Sequence, residues 1–393
     1  MLTQCARFKP VVAVMAQEAA GRLLAERVRA EVQSERFHGG LLYKRSAQMH
    51  MGRFAHGLAQ AAERHGATMV ASAAVRDAQH HDALRYTVWY PALASSRETA
   101  LTIGPPDAPL FEVGRAAVDA PVAGARLPTL LLSHGNGGSA RMMGWLGTAL
   151  ARDGYLVIAV DHPGNNGADE MTLAGSMLSW LRADDLRAAL AAVQADPILG
   201  PHVDPERLGV VGFSAGGYTA LLAAGARPSL QRLLAFCTAH PDDGVCQPQQ
   251  EAATHTMQAR RAAAASPALA PWIAEADAQR AIPGVRAVFL LAPAIVQAFA
   301  PAQLSALRQP VSIMLGAADT VAPPETNGEA AQAQIPRATL QRLPDVGHYD
   351  FLAACTAVGG QRLPGLCNTS VPRAKTHRQA VDAATRFFAD ALR

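Results

Sequence analysis

From about residue 83 the chain alternates short apolar runs with longer segments in which apolar positions recur every three to four residues. Apolar runs of this length suit strands, and the 3.6-residue period suits helices that bury one face. Strands are predicted at 86–90, closed by Pro91, then at 129–133, 155–160, 208–212, 285–291, 310–315 and 338–343. Helices are predicted at about 141–152, 176–195 and 378–392, with another directly after residue 214. In the second of these Leu181, Leu186, Leu190 and Val193 share a face, and Arg182, Asp184, Asp185 and Arg187 are expected largely on the others. The strand runs are apolar throughout, as in a sheet covered on both faces. Strand and helix in repeated alternation predict an α/β domain with a mostly parallel sheet and helices on both sides.

The pattern lapses in two places. Between Arg227 and Gly284 the chain is rich in Ala, Gln, Pro and Arg. It is too long there for an ordinary connection, so residues 228–284 are expected to form a helical cap over a binding site. Residues 1–76 do not fit the alternation either. They suggest helices at 18–32 and 57–64 and a strand at 66–70, and are expected to form an appendage to a domain of residues 77–393.

The chemistry concentrates at Gly212-Phe213-Ser214-Ala215-Gly216, where an apolar strand passes without spacer into an alanine- and leucine-rich helix former. A strand, a sharp turn and a helix in this order expose a serine hydroxyl at a helix N-terminus. Gly212 and Gly216 are expected because side chains there would collide where strand and helix cross. A serine hydroxyl is a weak nucleophile at neutral pH and needs a base, itself oriented by a third group. Asp319 follows the strand at 310–315, and His348 follows the strand at 338–343, so both fall beyond carboxyl ends of strands. Asp345 and Asp350 are rival acids beside the histidine. The loop His134-Gly135-Asn136-Gly137-Gly138 follows the strand at 129–133. Its glycines let backbone N–H groups approach a ligand, and the N–H groups of Asn136 and Ala215 are the expected donors to a developing oxyanion. His134, Gly135, Gly137, His162 and Tyr349 are expected to line the substrate pocket.

These motifs, with Val160-Asp161-His162-Pro163-Gly164-Asn165-Asn166 and Gly347-His348-Tyr349-Asp350-Phe351, resemble the dienelactone-hydrolase-like branch of the α/β-hydrolases, which is also similar to platelet-activating-factor acetylhydrolases. The resemblance runs from about Arg85 to Arg393. It implies an α/β-hydrolase fold and a serine carboxylesterase with Ser214, Asp319 and His348 as the triad, acting on a small-molecule ester or lipid-like substrate. Dienelactone hydrolases proper carry cysteine where this chain has Ser214, which argues against dienelactone as the substrate. The same triad also serves amides, thioesters and lactones, and a catalytically inactive binding protein is the alternative from another class. No metal or organic cofactor is required by this chemistry. Residues 18–70 are similar to an internal piece of FAD-dependent amino-acid and amine oxidases. They lack the Gly-x-Gly-x-x-Gly fingerprint of a dinucleotide site and are expected to be non-catalytic.

Charge changes this picture little. Residues 1–82 carry a formal charge of +4 and the remainder −1, and no dense basic run interleaves with aromatics, so no nucleic-acid partner is expected. No apolar run approaches the roughly 18 residues of a membrane span. Met1 to Gln17 offers no convincing export signal, which points to the cytoplasm. Against this, Cys237 with Cys246 and Cys355 with Cys367 form two locally spaced couples, whose closure would indicate a periplasmic or secreted protein.

Overall fold

A computed structural model describes residues 72–73, 84–169 and 171–393. All belong to the second of the two units into which the chain divides, residues 70–393. The expected helices at 18–32 and 57–64, the strand at 66–70 and the oxidase-like fragment lie outside the described residues. Ser72–Ala73 (β1) pairs antiparallel with Leu84–Trp89 (β2). The sheet therefore starts inside the stretch assigned to the appendage, earlier than residue 77.

The remaining strands are Thr99–Ile103 (β3), Phe111–Ala116 (β4), Leu127–Ser133 (β5), Leu156–Asp161 (β6), Val203–Phe213 (β7), Val285–Leu291 (β8), Val311–Gly316 (β9), Ala338–Leu343 (β10) and Ala354–Cys355 (β11). Eight of them make one sheet in the order β1-β2-β6-β5-β7-β8-β9-β10. From β6 to β10 every neighbouring pair is parallel, and β2 joins β6 antiparallel. A second sheet, β11-β4-β3, is antiparallel and was not expected from the proline- and glycine-rich stretch that holds β3 and β4. β3 and β4 have largely exposed or half-buried residues, so they carry little of the apolar signal on which strand prediction depends.

The longer helices are Gly144–Arg152 (α1), Arg182–Ala195 (α2), Ala215–Ala223 (α3), Leu230–Ala239 (α4), Met257–Ala264 (α5), Gly328–Gln334 (α6) and Arg373–Ala391 (α7). The helix expected over 176–195 is broken into Leu173–Met177, a 3-10 turn at Ser179–Leu181, and α2, with Leu178 at φ −79° and ψ 41° between the first two. Ser176, Met177, Leu178, Ser179, Trp180 and Leu181 are all buried, six consecutive positions that no single face of a straight helix could bury.

Side chains alternate across the strands. Leu131, Ile158, Val210, Leu290 and Ile313 point into one core with α2 and α3. Their neighbours Leu132, Val157, Val211, Phe289 and Met314 point into a second core with α1 and α7. The order of the strands reverses at β5, which has β6 on one side and β7 on the other. Such a reversal opens a crevice beyond the carboxyl ends of the strands, where ligands bind in open α/β sheets. Both cysteine couples close as disulfides, Cys237–Cys246 with Cα atoms 5.3 Å apart and Cys355–Cys367 with 5.9 Å. Among the described residues no helix is long and apolar enough to cross a membrane.

His377 of α7 ties the C-terminal helix to the chain that follows His348. Its Nε2–H donates to the Leu352 carbonyl at 2.8 Å, and its ring stacks on Trp145 with centroids 3.9 Å apart. Burial, only partly offset by that hydrogen bond, lowers its pKa to about 4. In the unfolded chain a histidine takes up its proton near ~6.5. Between these values the unfolded state binds more protons than the folded one, so stability falls as the pH falls. Denaturant unfolding at a series of pH values should show this residue removing roughly 2 kcal/mol between about pH 6.5 and pH 4. The His377→Gln variant should show a correspondingly flatter profile.

Candidate active site

Ser214 stands between the last residue of β7 and the first of α3, at φ 56° and ψ −121°. A non-glycine residue rarely holds a positive φ, and strain of this kind persists only where the surroundings enforce it. The enforcement is close packing. A Cβ on Gly212 would lie 2.0 Å from the Gly216 carbonyl oxygen, and one on Gly216 would lie 1.9 Å from that of Ser133. The expected roles of both glycines thus have a geometric basis, and Gly216 additionally lets the turn press against the end of β5.

Asp319 lies past β9 and His348 past β10, and the fold brings both to Ser214. Ser214 Oγ is 2.8 Å from His348 Nε2, and His348 Nδ1 is 2.7 Å from Asp319 Oδ2. All three are buried. Asp319 Oδ1 accepts from the N–H groups of Val321 and Ala322 at 2.9 and 2.7 Å, so the same carboxylate also orders the turn that follows β9. Neither rival acid is so placed. Asp345 is exposed, and Asp350 accepts instead from the Gly347 N–H at 2.7 Å.

The loop after β5 faces this trio. Among the described residues neither the Asn136 N–H nor the Ala215 N–H donates to another group. Ser214 and His348 border a cavity of about 130 Å³ that is also lined by His134, Gly135, Asn136, Gly137, Ala215 and Tyr349. Residues 228–284 contribute Leu233, Val245, Gln249, Glu251, Met257 and Arg260 to its wall. Glu251 spans the cleft: Oε1 accepts from Asn136 Nδ2 at 3.2 Å and Oε2 from the Tyr349 hydroxyl at 3.3 Å. Burial and that carboxylate both push the Tyr349 pKa up. Gly137, at φ 61°, gives Glu251 room, since a Cβ there would lie 2.7 Å from the glutamate Cγ.

The family model described as alpha/beta hydrolase family matches residues 130–358, more than half of the chain. The chain belongs to the alpha/beta hydrolase family. Over 96 residues it is 33% identical to Lipase 1 of Moraxella sp. (strain TA144), covering 24% of this chain and 27% of that lipase. Its fold is similar to that of a ferulic acid esterase from Streptomyces cinnamoneus, with a TM-score of 0.53 and 21% identity over 83% of this chain and 88% of the other. A dienelactone hydrolase from Anabaena variabilis ATCC 29413 has a TM-score of 0.40 and 17% identity over 76% of this chain and 99% of the other.

One expected pocket residue of this alpha/beta hydrolase is elsewhere. His162 does not reach the cavity wall; it is buried beneath the β5 loop, 2.8 Å from Ser133 Oγ through Nε2 and 2.9 Å from Asp185 Oδ2 through Nδ1. The cause is the position of His162 just past β6, next to β5, where its side chain turns under the sheet edge instead of over it. His134 does line the cavity, but both ring nitrogens are committed. Nδ1–H donates to the Gly135 carbonyl at 2.6 Å, and Nε2 accepts from the His162 N–H at 3.1 Å. Burial, reinforced by the nearby Arg182 charge, holds its pKa well below that of an ordinary histidine.

Arg182 completes this buried assembly. It donates to Thr219 Oγ1 at 3.1 Å, Asn165 Oδ1 at 2.6 Å and Ser133 Oγ at 3.2 Å, and to the carbonyl of His134. Burial pushes the Asp185 carboxyl up and the Arg182 guanidinium down, and each charge opposes the other's shift. The amphipathic reading of the 176–195 segment placed Arg182, Asp184 and Asp185 largely off the apolar face, yet all three are buried. The spacing did contain a signal. Arg182, Leu186, Ala189 and Val193 recur at intervals of four, three and four, so Arg182 lies on the buried stripe itself. Asn165, now a cavity residue, belonged to a run noted in the sequence but given no role.

Three stability measurements test these contacts. Gly216→Ala should cost at least about 2 kcal/mol, because backbone must move to admit the methyl group. His162→Ala should cost about 3 kcal/mol, because it removes the ring that hydrogen-bonds both Asp185 and Ser133 and leaves a gap in a dry interior. Ser133→Ala, which removes one hydroxyl and leaves the charges paired, should cost about 1 kcal/mol by the same denaturant assay.

Proposed function

We propose that this alpha/beta hydrolase is a serine esterase that cleaves carboxylic esters through an acyl-enzyme, with Ser214, His348 and Asp319 as its triad. The observation that carries the reading is the continuous hydrogen-bonded line from Ser214 Oγ through His348 to Asp319, at 2.8 and 2.7 Å, opening onto the cavity. His348 Nε2 takes the proton of Ser214 as the serine oxygen attacks the ester carbonyl. Asp319 accepts the Nδ1–H of the ring, which fixes the tautomer and stabilises the imidazolium. The Asn136 and Ala215 N–H groups receive the negative oxygen of the tetrahedral intermediate, each contributing roughly 3 kcal/mol. The imidazolium then protonates the departing alcohol. A water, deprotonated by the same ring, attacks the acyl-enzyme and releases the acid and Ser214.

The proposal extends to the insertion and to the compartment. Residues 228–284 act as a cap, since six of their side chains wall the cavity and Glu251 crosses it. The two disulfides favour an oxidising compartment over the cytoplasm.

Ser214→Ala should remain folded, lose all covalent labelling by a fluorophosphonate and hydrolyse p-nitrophenyl esters at least about 10³-fold more slowly. Labelling that persists in this variant would move the nucleophile elsewhere. Turnover of p-nitroanilides in preference to the matching p-nitrophenyl esters would reassign the substrate to amides.

A further inference from the structure

Arg260, on α5 of the insertion, lines the cavity that holds Ser214 and His348. It donates through Nε to the His255 carbonyl and through Nη1 to the Ser176 carbonyl, both at 3.2 Å. A guanidinium has five N–H donors. Three therefore remain, with at least one on each terminal nitrogen. No carboxylate of the described residues pairs with this side chain, and burial alone lowers its pKa.

Neighbouring arginines are treated differently. Arg280 is 2.9 Å from Asp184. Arg182 has the charge of Asp185 beside it and four hydrogen bonds. The cavity's own carboxylate, Glu251, is engaged at both oxygens by Asn136 and Tyr349. Among the described residues Arg260 is thus a part-buried cation held in place by two backbone carbonyls, with no carboxylate paired to it. Desolvating a charge without a partner is costly, and a planar guanidinium matches a carboxylate with two parallel hydrogen bonds. Arg260 also borders a smaller apolar chamber lined by Trp180, Tyr218, Leu230 and Leu234, so apolar wall lies on its far side.

We propose that Arg260 is an anion subsite of this cavity and that the preferred substrate is an ester carrying a carboxylate remote from the scissile carbonyl. The proposal rests on the serine-esterase reading of the same cavity, and its test separates the two. The first arm compares the p-nitrophenyl half-ester of adipic acid with its methyl-capped, uncharged counterpart. A parallel pair, butyryl 4-hydroxybenzoate and its methyl ester, moves the charge to the alcohol side. In one of the two pairs the charged ester should have the higher kcat/KM, by at least tenfold, and Arg260→Gln should collapse that ratio towards one. Arg260→Lys, which keeps the charge and loses the fork, should give an intermediate ratio. A ratio near or below one in both pairs, or one that survives Arg260→Gln, overturns the subsite.

The second arm needs no turnover. Calorimetric titration of adipate into the Ser214→Ala protein should show binding that weakens at least tenfold in the Ser214→Ala/Arg260→Gln double variant. Equal binding by the two proteins overturns the subsite. If fluorophosphonate fails to label Ser214 while adipate binding still depends on Arg260, the esterase reading falls and the anion site stands.

Discussion

Gly216 passes so close to the end of β5 that the Ser133 carbonyl occupies the space where any side chain would begin. This contact sets the height of α3 above the sheet and the positive φ of Ser214 together. It also sets the distance between the nucleophile and the 134–138 loop, because that loop leaves β5 at the residue whose carbonyl Gly216 touches. The serine hydroxyl, the Ala215 N–H and the Asn136 N–H are therefore placed by one backbone crossing. Asp319 and His348 arrive from β9 and β10 respectively, further along the same parallel sheet. Strain in the turn is tolerated because the strand and helix on either side are buried and cannot relax independently.

The crossing has a floor as well as a roof. Below it, Ser133, His162 and Asp185 repeat the order serine, histidine, carboxylate at distances of 2.8 and 2.9 Å. The two sets use the same hydrogen-bond logic and differ in access. Ser214 opens onto the cavity, whereas Ser133 is fully buried and also accepts from Arg182. The carbonyl of His134, at the start of the 134–138 loop, is held by the same arginine. In a dry interior such groups are costly unless every member is satisfied, and once satisfied they favour a single geometry. The lower set thus ties the end of β5 and the start of its loop to α2 through Arg182 and Asp185.

This division explains what was legible in the sequence. Ser214, Asp319 and His348 could be located because each follows an apolar strand, and parallel strands deliver their carboxyl ends to one rim. Asn136 and Ala215 were expected at the pocket from the glycine-rich loop and the turn after β7, and both lie on the cavity wall. The strands themselves were legible because burial on both faces makes them continuously apolar. His162 was misassigned because its motif gives its position in the chain but not which side of the sheet edge its ring takes. Arg182 and Asp185 were missed for a related reason: charged residues on a helix ordinarily face water, and only their partners on β5 and after β6 make their burial affordable. β3 and β4 left no clear trace because half-exposed strands lack the apolar run. Arg260 and Glu251 come from a segment without periodicity, so nothing in the chain announced that their side chains would meet the cavity.

The same segment decides how the cavity is charged. The Glu251 carboxylate is met by two donors of the main domain, one on each side of the cleft, so the insertion is anchored where it approaches the 134–138 loop. Arg260 enters with a positive charge, and among the described residues its hydrogen bonds go to two carbonyls. A carbonyl oxygen carries a partial charge and cannot neutralise a cation as a carboxylate does, so the cavity keeps a positive bias on the cap side. That bias does not come from the triad, whose own charges are arranged in a line that Asp319 terminates. On the proposed reading, reaction type comes from the sheet rim and discrimination among substrates from residues 228–284. An exchange of the insertion could redirect specificity without disturbing the crossing of Gly216 over β5, on which the chemistry depends.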